Sequence, residues 1–215
     1  KTPKNVFIPV TVSGGLRSID DFTKALEAGA DKVAFNTAAI KNPELINKAA
    51  EKFGSSTIII SIEVIKYKNE YFAYTDNGRE FTGKKVMDWT KEVQERGAGE
   101  ILLTSVDKDG TGEGFDLDLI KKVSEKLNIP LIAHGGARNK EHLENAVISG
   151  ANALALASML HYNTILNPNN QNLINNNKLE GNFEFLKKKS SYKSFGEEDI
   201  TMIKNFLSKK FNVRI

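Results

Sequence analysis

Hydrophobic and polar positions follow two alternating regimes along the chain. Short apolar runs are followed by longer stretches, about 10 to 15 residues each, in which apolar positions recur every three or four residues. That alternation predicts βα units whose parallel strands are covered on both faces. Six units are read, with strands at Val6–Val12, Lys32–Phe35, Thr57–Val64, Glu100–Leu103, Pro130–Ala133 and Ala153–Ala157. Ser18 ahead of Ile19-Asp20-Asp21, and Asn42-Pro43 ahead of Glu44-Leu45-Ile46, mark helix starts. Gly29, Gly97 and Gly150 mark helix ends just before the next strand. Between Tyr67 and Gly83 the rhythm breaks: Tyr71–Thr75 followed by Asp76-Asn77-Gly78 predicts a small hairpin inserted after the third strand.

The chain also resembles itself. Ile8-Pro9-Val10-Thr11-Val12-Ser13-Gly14-Gly15 recurs 121 residues later as Ile129-Pro130-Leu131-Ile132-Ala133-His134-Gly135-Gly136. The same offset carries Gly29-Ala30-Asp31 onto Gly150-Ala151-Asn152, and Thr37 onto Ser158. A constant offset across a strand, a helix and a second strand is an internal duplication. By the spacing of the strands it equals four βα units, so two halves make a (β/α)8 TIM barrel. The six units seen are then numbers three to eight. Because the chain starts at Lys1, it is expected to begin partway through a longer product, with the first two units missing from it. Residues 1–215 are expected to form a single barrel domain with an Asn- and Lys-rich insertion, 163–195, before the last helix. Asn167–Asn177 holds seven Asn in eleven residues and is expected to be a mobile loop.

Candidate chemistry sits where the strands end. Gly14-Gly15 with Thr37, and Gly135-Gly136 with Ser158, pair backbone N–H groups that can approach an anion with a hydroxyl on the neighbouring strand. Two copies predict two phosphate sites at one barrel mouth, and so an elongated substrate with a phosphate at each end. Glu63 closes the run Ile58-Ile59-Ile60-Ser61-Ile62, where apolar neighbours would raise its pKa and suit it to general acid–base work. Asp107 and Asp109 follow another strand end; one is expected to orient ligand while the other pairs with Lys108, and Asp109-Gly110 equally forms a turn. His134 belongs to the mouth by position, whereas His142 and His161 read as helix-surface residues. No Ser-His-acid, P-loop or metal-ligand spacing is present, and no cofactor is expected.

Composition narrows the classes. A length of 215 residues suffices for one sizeable core. A net charge of only +3, with basic residues dispersed, gives no reason to expect nucleic acid. The absence of Cys excludes disulfides, thiolate metal sites and Cys nucleophiles, and is compatible with an expected cytoplasmic location. No apolar run reaches the roughly 18 to 20 residues of a membrane helix.

At these residues the sequence resembles the cyclase subunit of imidazole glycerol phosphate synthase, the HisF family. The most specific match is Arg96-Gly97-Ala98-Gly99-Glu100-Ile101-Leu102-Leu103-Thr104-Ser105-Val106-Asp107-Lys108-Asp109-Gly110-Thr111. Val12-Ser13-Gly14-Gly15, Ala30 to Ala39, Asn77-Gly78 and Thr82-Gly83 support it. The resemblance covers Val6 to about His161 and resumes from Glu197. It implies a lyase of histidine biosynthesis that uses ammonia from a HisH-like glutaminase to form imidazole glycerol phosphate and an aminoimidazole carboxamide ribonucleotide. It also implies one phosphate on Gly15, Asn36 and Thr37 and another on Asp109, Gly110, Gly136, Ala137, Ala157 and Ser158. Thr104 and His134 would line the substrate site. Lys32 and Glu100 would belong to an ammonia gate at the opposite face, and Asp31 to the glutaminase contact. Glu63 stands where the family carries a catalytic Asp, and His134 where a small residue is usual. Those differences and the insertion admit an alternative, a paralogue passing ammonia to a sugar amidotransferase in surface-glycan synthesis, and a third reading, a glutaminase-binding scaffold without catalysis.

Overall fold

The apolar runs pair side by side. The computed structural model describes residues 7–166 and 198–213. In chain order its strands are β1 (Thr11–Ser13), β2 (Lys32–Phe35), β3 (Ile58–Tyr67), β4 (Glu70–Thr75), β5 (Glu80–Lys85), β6 (Glu100–Ser105), β7 (Leu131–His134) and β8 (Ala153–Ala155). Six of them form one parallel sheet in the order β1-β2-β3-β6-β7-β8, while β4 and β5 extend β3 as an antiparallel arm. The helices are α1 (Ile19–Glu27), α2 (Thr37–Lys41), α3 (Glu44–Phe53), α4 (Val86–Glu95), α5 (Leu117–Ser124), α6 (Lys140–Ile148), α7 (Ser158–Leu166) and α8 (Ile200–Leu207). Six alternating units on a curled parallel sheet are three quarters of a (β/α)8 barrel, as expected. Among the described residues β1 pairs only with β2 and β8 only with β7.

The pleat sorts the side chains. One face sends Val33, Phe35, Ile58, Ile60, Ile62, Val64, Ile101, Leu103, Leu131 and Ala133 into the layer beneath the helices, where Phe22, Ile46, Trp89, Val93, Leu119 and Leu143 complete the core. The alternate positions, Lys32, Ala34, Ile59, Ser61, Glu63, Glu100, Leu102, Thr104, Ile132 and His134, lie on the inner face and are, apart from Ala34 and Ile59, only partly buried. The charged Lys32, Glu63 and Glu100 are all in this second set.

The duplication is visible bond by bond. Ser18 caps α1 by accepting from the Asp21 amide at 3.2 Å, and Asn139 caps α6 by accepting from the His142 amide at 2.9 Å. Asp31 accepts from the Val10 amide at 2.7 Å, and Asn152 accepts from the Leu131 amide at 2.9 Å. The Ala30 amide donates to Ala25 at 3.1 Å, as the Ala151 amide does to Ala146. Phe22 and Leu143, 121 positions apart, are both fully buried.

Three expectations shift. The first strand, expected over Val6–Val12, runs over Thr11–Ser13, where β2 offers partners from Lys32 to Ala34; Phe7 and Ile8 lie ahead of that ladder and are largely exposed. The third strand runs on past Val64 to Tyr67, because the arm pairs with it; Lys68 and Asn69, both at positive φ (48° and 66°), make the reversal into β4. The insertion expected over 163–195 begins inside α7, and from residue 167 it lies outside the described residues. Beyond it, Ile203 and Leu207 of α8 join the core, and Lys140 of α6 sits 5.5 Å over the Phe206 ring.

If the two copies carry equivalent shares of the core, truncating either should be costly. Phe22→Ala is expected to destabilise by about 3–5 kcal/mol and Leu143→Ala by about 2–5 kcal/mol, read as lowered midpoints in urea unfolding.

Candidate functional site

At the carboxyl ends of the strands two clusters face one mouth. The first is lined by Gly14, Gly15, Asn36, Thr37, Ser61 and Glu63 at the ends of β1, β2 and β3, with Asp76 and Asn77 from the arm. The second is lined by Asp109, Gly110, His134, Gly136, Ala137, Ala157 and Ser158, at the ends of β6, β7 and β8. These are the two duplicated Gly-Gly and hydroxyl sets. Thr104, the remaining expected binding residue, lies on β6 between them, in register with Glu63 on one side and His134 on the other.

The two cradles differ in how they are built. A Cβ on Gly136 would come within 2.2 Å of the Gly114 carbonyl oxygen, and the Gly114 amide donates to the Gly136 carbonyl at 2.8 Å. Nothing but glycine fits there. At Gly15 nothing lies within 4 Å, and the demand for glycine is a φ of +72° alone. The first cradle has a different mark. Asn36 donates through Nδ2 to the Tyr74 carbonyl at 2.9 Å, which leaves its buried Oδ1 without a partner among the described residues. A ligand donor would relieve that cost.

Glu63 is half-buried, and its carboxylate accepts from the Gly78 amide at 2.8 Å. Its setting is not the apolar one expected. Ile60 and Ile62 beside it in sequence turn to the helix layer, while its own side of the mouth holds Thr104, Ser61, Asn36, Asp76 and Asn77. The arm that holds Glu63 is itself anchored. Tyr71 of β4 lies 3.1 Å from an Asp116 oxygen and 3.0 Å from an Asp118 oxygen, its hydroxyl proton shared between two carboxylates at the start of α5. Burial, reinforced by those carboxylates, pushes the Tyr71 pKa far up.

Other expected roles are redistributed. Asp107 accepts from the Lys66 amide at 2.8 Å and ties the loop to β3, whereas Lys108 pairs with Glu113 at 3.1 Å rather than with either aspartate. His142 is not a free surface residue: its ring lies 3.5 Å from where a Gly114 Cβ would be, and burial lowers its pKa. His161 is exposed, as expected. The sequence carries no Ser-His-acid spacing, yet folding makes a related arrangement. Thr104 Oγ1 lies 3.2 Å from His134 Nδ1, and His134 Nε2 lies 3.9 Å from Asp109 Oδ1. At the other end of the inner face Lys32 and Glu100 form an ion pair, and the exposed Asp31 reaches Val10. Among the described residues no group of three or more His, Asp or Glu side chains could hold a metal ion, and no helix is long and apolar enough to cross a membrane.

Residues 1–166 match the model of the family described as "Histidine biosynthesis protein". Three curated relatives carry the same name, imidazole glycerol phosphate synthase subunit HisF. That of Natranaerobius thermophilus is 49% identical over 166 residues, 77% of this chain and 66% of the relative. That of Pyrobaculum aerophilum is 48% identical over 161 residues, 74% of this chain and 63% of the relative. That of Alkaliphilus metalliredigens is 44% identical over 170 residues, 78% of this chain and 68% of the relative. The chain belongs to the HisF family of histidine biosynthesis proteins. It spans about two thirds of the length of these HisF relatives.

Two tests separate the roles of these residues. Gly136→Ala should lower the melting temperature substantially, while Gly15→Ala should cost only the left-handed conformation, about 1–2 kcal/mol. Tyr71 has a pKa raised on folding, so its contribution is full below the tyrosine value of about 10 and is lost as pH rises above it. Wild-type stability should therefore fall more steeply above that pH than that of Tyr71→Phe, measured by denaturant unfolding at a series of pH values.

Proposed function

We propose that this chain supplies six units of a HisF-type cyclase, a lyase that joins ammonia to a two-phosphate aminoimidazole substrate. The products are imidazole glycerol phosphate and an aminoimidazole carboxamide ribonucleotide. One observation carries the reading: the duplicated cradles lie on β1/β2 and on β7/β8, with Glu63 and Thr104 on the strands between. From β2 to β7 is three strand spacings, about 14 Å along the sheet. An elongated ligand held by a phosphate at each end would place its centre over Glu63. Gly15, Asn36 and Thr37 would take one phosphate, and Asp109, Gly110, Gly136, Ala137, Ala157 and Ser158 the other, through backbone amides and hydroxyls.

Glu63 is then the general acid–base group. Its carboxylate is held by the Gly78 amide, so it meets the ligand in one orientation. Ammonia would come from a HisH-like glutaminase at the far face. Lys32 and Glu100 are the charged pair at that end of the inner face, and Glu100 lies four residues, about 13 Å, below Thr104 on the same strand. Asp31, exposed beside them, would meet the glutaminase.

The test uses the intact protein with the two-phosphate substrate and an ammonium salt, without glutaminase. Turnover is expected, and Glu63→Gln should lower kcat by roughly 10²- to 10⁴-fold. No turnover by the wild type, with stimulation of the glutaminase retained, would overturn the cyclase reading in favour of an ammonia conduit to a sugar amidotransferase.

A further inference from the structure

His142 has no part in the roles assigned so far, yet it stands directly behind the second cradle. It lies in the first turn of α6, and its ring packs face-on against Gly114 in the loop after β6. A Cβ on that glycine would sit 3.5 Å from Cγ, Cδ2 and Cε1 alike. Gly114 in turn backs the cradle. Its amide donates to the Gly136 carbonyl at 2.8 Å, and its own carbonyl leaves room for nothing but glycine at position 136. The chain of contact therefore runs from the imidazole through one glycine to the backbone of the next, which lines the cavity with Asp109 and Ser158. The duplication sharpens the point. The counterpart of His142, 121 positions earlier, is Asp21, whose carboxylate accepts from the Arg17 amide at 3.0 Å and so ties down the turn after Gly14-Gly15. In both halves this helix position secures backbone at the local cradle, in one by a hydrogen bond and in the other by the face of a ring.

We propose that His142 is a positioning residue of the second cradle, and that its ring must be neutral to act as one. The proposal rests on the reading of that cradle as the seat of one phosphate of the substrate. Nδ1 is buried and has no hydrogen-bond partner among the described residues. In the neutral Nε2–H form that atom is a bare lone pair. In the imidazolium it becomes a buried N–H without an acceptor, which is costly to leave unsatisfied. Burial first, and then the Arg138 charge, hold the His142 pKa below the ordinary histidine range, against the pull of Glu141 beside it. On the loop packed against the ring, Lys108 and Glu113 are paired with each other, and Asp116 accepts from the Leu119 amide at the start of α5. Protonation therefore turns the ring from Gly114 toward water, and Gly136 loses its backing. Phosphate affinity at this cradle then falls as pH drops through the His142 pKa, whereas an imidazolium acting on the phosphate as a simple charge would raise it.

The experiment measures the dissociation constant of the two-phosphate aminoimidazole substrate by calorimetry, without ammonia, for the intact wild-type protein, His142→Phe and His142→Ala. Each is measured at about pH 8 and about pH 5, on either side of the histidine range. Phe keeps a flat ring against Gly114 but cannot take a proton. The ligand's own phosphate titration is common to all three proteins, so ratios between them isolate the contribution of His142. Wild type and His142→Phe are expected to bind equally at the higher pH. At the lower pH the wild type should bind roughly tenfold more weakly than His142→Phe, the loss that one unsatisfied donor implies. His142→Ala, with no ring, should bind about tenfold more weakly than His142→Phe at both; should it fail to fold, the comparison with Phe decides alone. A wild type that keeps pace with His142→Phe at both pH values, or gains on it at the lower, would overturn the proposal, as would a folded Ala variant that binds like Phe. Binding with the expected pH dependence but no turnover when ammonium is added would overturn the cyclase reading alone. No binding by the wild type would overturn both.

Discussion

Everything at this mouth depends on the register between β3 and β6. Their ladder pairs Ile59 with Glu100, Ser61 with Leu102 and Glu63 with Thr104, and the pairs between put Ile60, Ile62, Ile101 and Leu103 under the helices. A slip of one residue in either strand would exchange the faces. Glu63 or Glu100 would then enter a layer lined by Trp89, Val93 and Leu119, where an unpaired carboxylate costs several kcal/mol. The same slip would expose isoleucines worth about 1.5–3 kcal/mol each when buried. The residues with chemistry to offer are thus the ones that fix the register, because they are barred from the other face. That links the placement of Glu63 to the apolar alternation around it more firmly than any single contact does.

The duplicated halves show which parts of the unit are structural and which vary with context. Capping by Ser18 and Asn139, the amide bonds to Asp31 and Asn152, and the buried Phe22 and Leu143 are shared, so they belong to the βαβ unit itself. Asp31 therefore already has a job in the fold, as a backbone acceptor, before any partner is considered. The glycine pairs are not shared in the same sense. Gly135 and Gly136 are pressed against the carbonyls of Ser105 at the end of β6 and Gly114 in the loop after it, whereas Gly14 and Gly15 stand clear just past the end of β1. One sequence motif, with positive φ in both copies, answers a packing demand in one half and a conformational one in the other.

Most of the architecture was legible because it is written in local periods. Six strands, the caps at Ser18 and Pro43, the glycine stops and the Asp76-Asn77-Gly78 reversal all follow from runs of a few residues. The Lys68–Asn69 turn was not legible, since Lys is a poor signal for a positive φ and only the pairing of β3 with β4 forces it there. The two cradles and Glu63 were found through repetition and strand-end position. The Thr104–His134–Asp109 line was not, because His134 lies 30 residues from Thr104 and only the register of β6 with β7 brings them together. The partners of Asp107 and Lys108 were misread for the complementary reason. Neighbours in sequence at a loop point in different directions, so Lys108 finds Glu113 and Asp107 finds the β3 backbone.

The arm formed by β4 and β5 turns this static layout into a constrained site. A two-stranded hairpin is marginal in water unless something holds it. Here the ladder between β4 and β3 does so, together with three side-chain anchors: Tyr71 at Asp116 and Asp118, the Tyr74 carbonyl at Asn36, and the Gly78 amide at Glu63. The third anchor is also the candidate general acid–base group. Its orientation is thus inherited from the arm, and the arm is held by its ladder with β3 and by a tyrosine bonded to the start of α5. Val106 closes the loop of dependence: its amide donates to the Val64 carbonyl at 2.9 Å, and a Cβ on Gly78 would come within 2.8 Å of its side chain. A glycine at this turn therefore serves two needs, a φ of +77° and close approach to Val106, and both bring its N–H to the Glu63 carboxylate. Pre-organisation of this kind fixes the orientation of the Glu63 carboxylate before a ligand arrives, and it does so through backbone geometry that side-chain substitutions elsewhere in the mouth would leave intact.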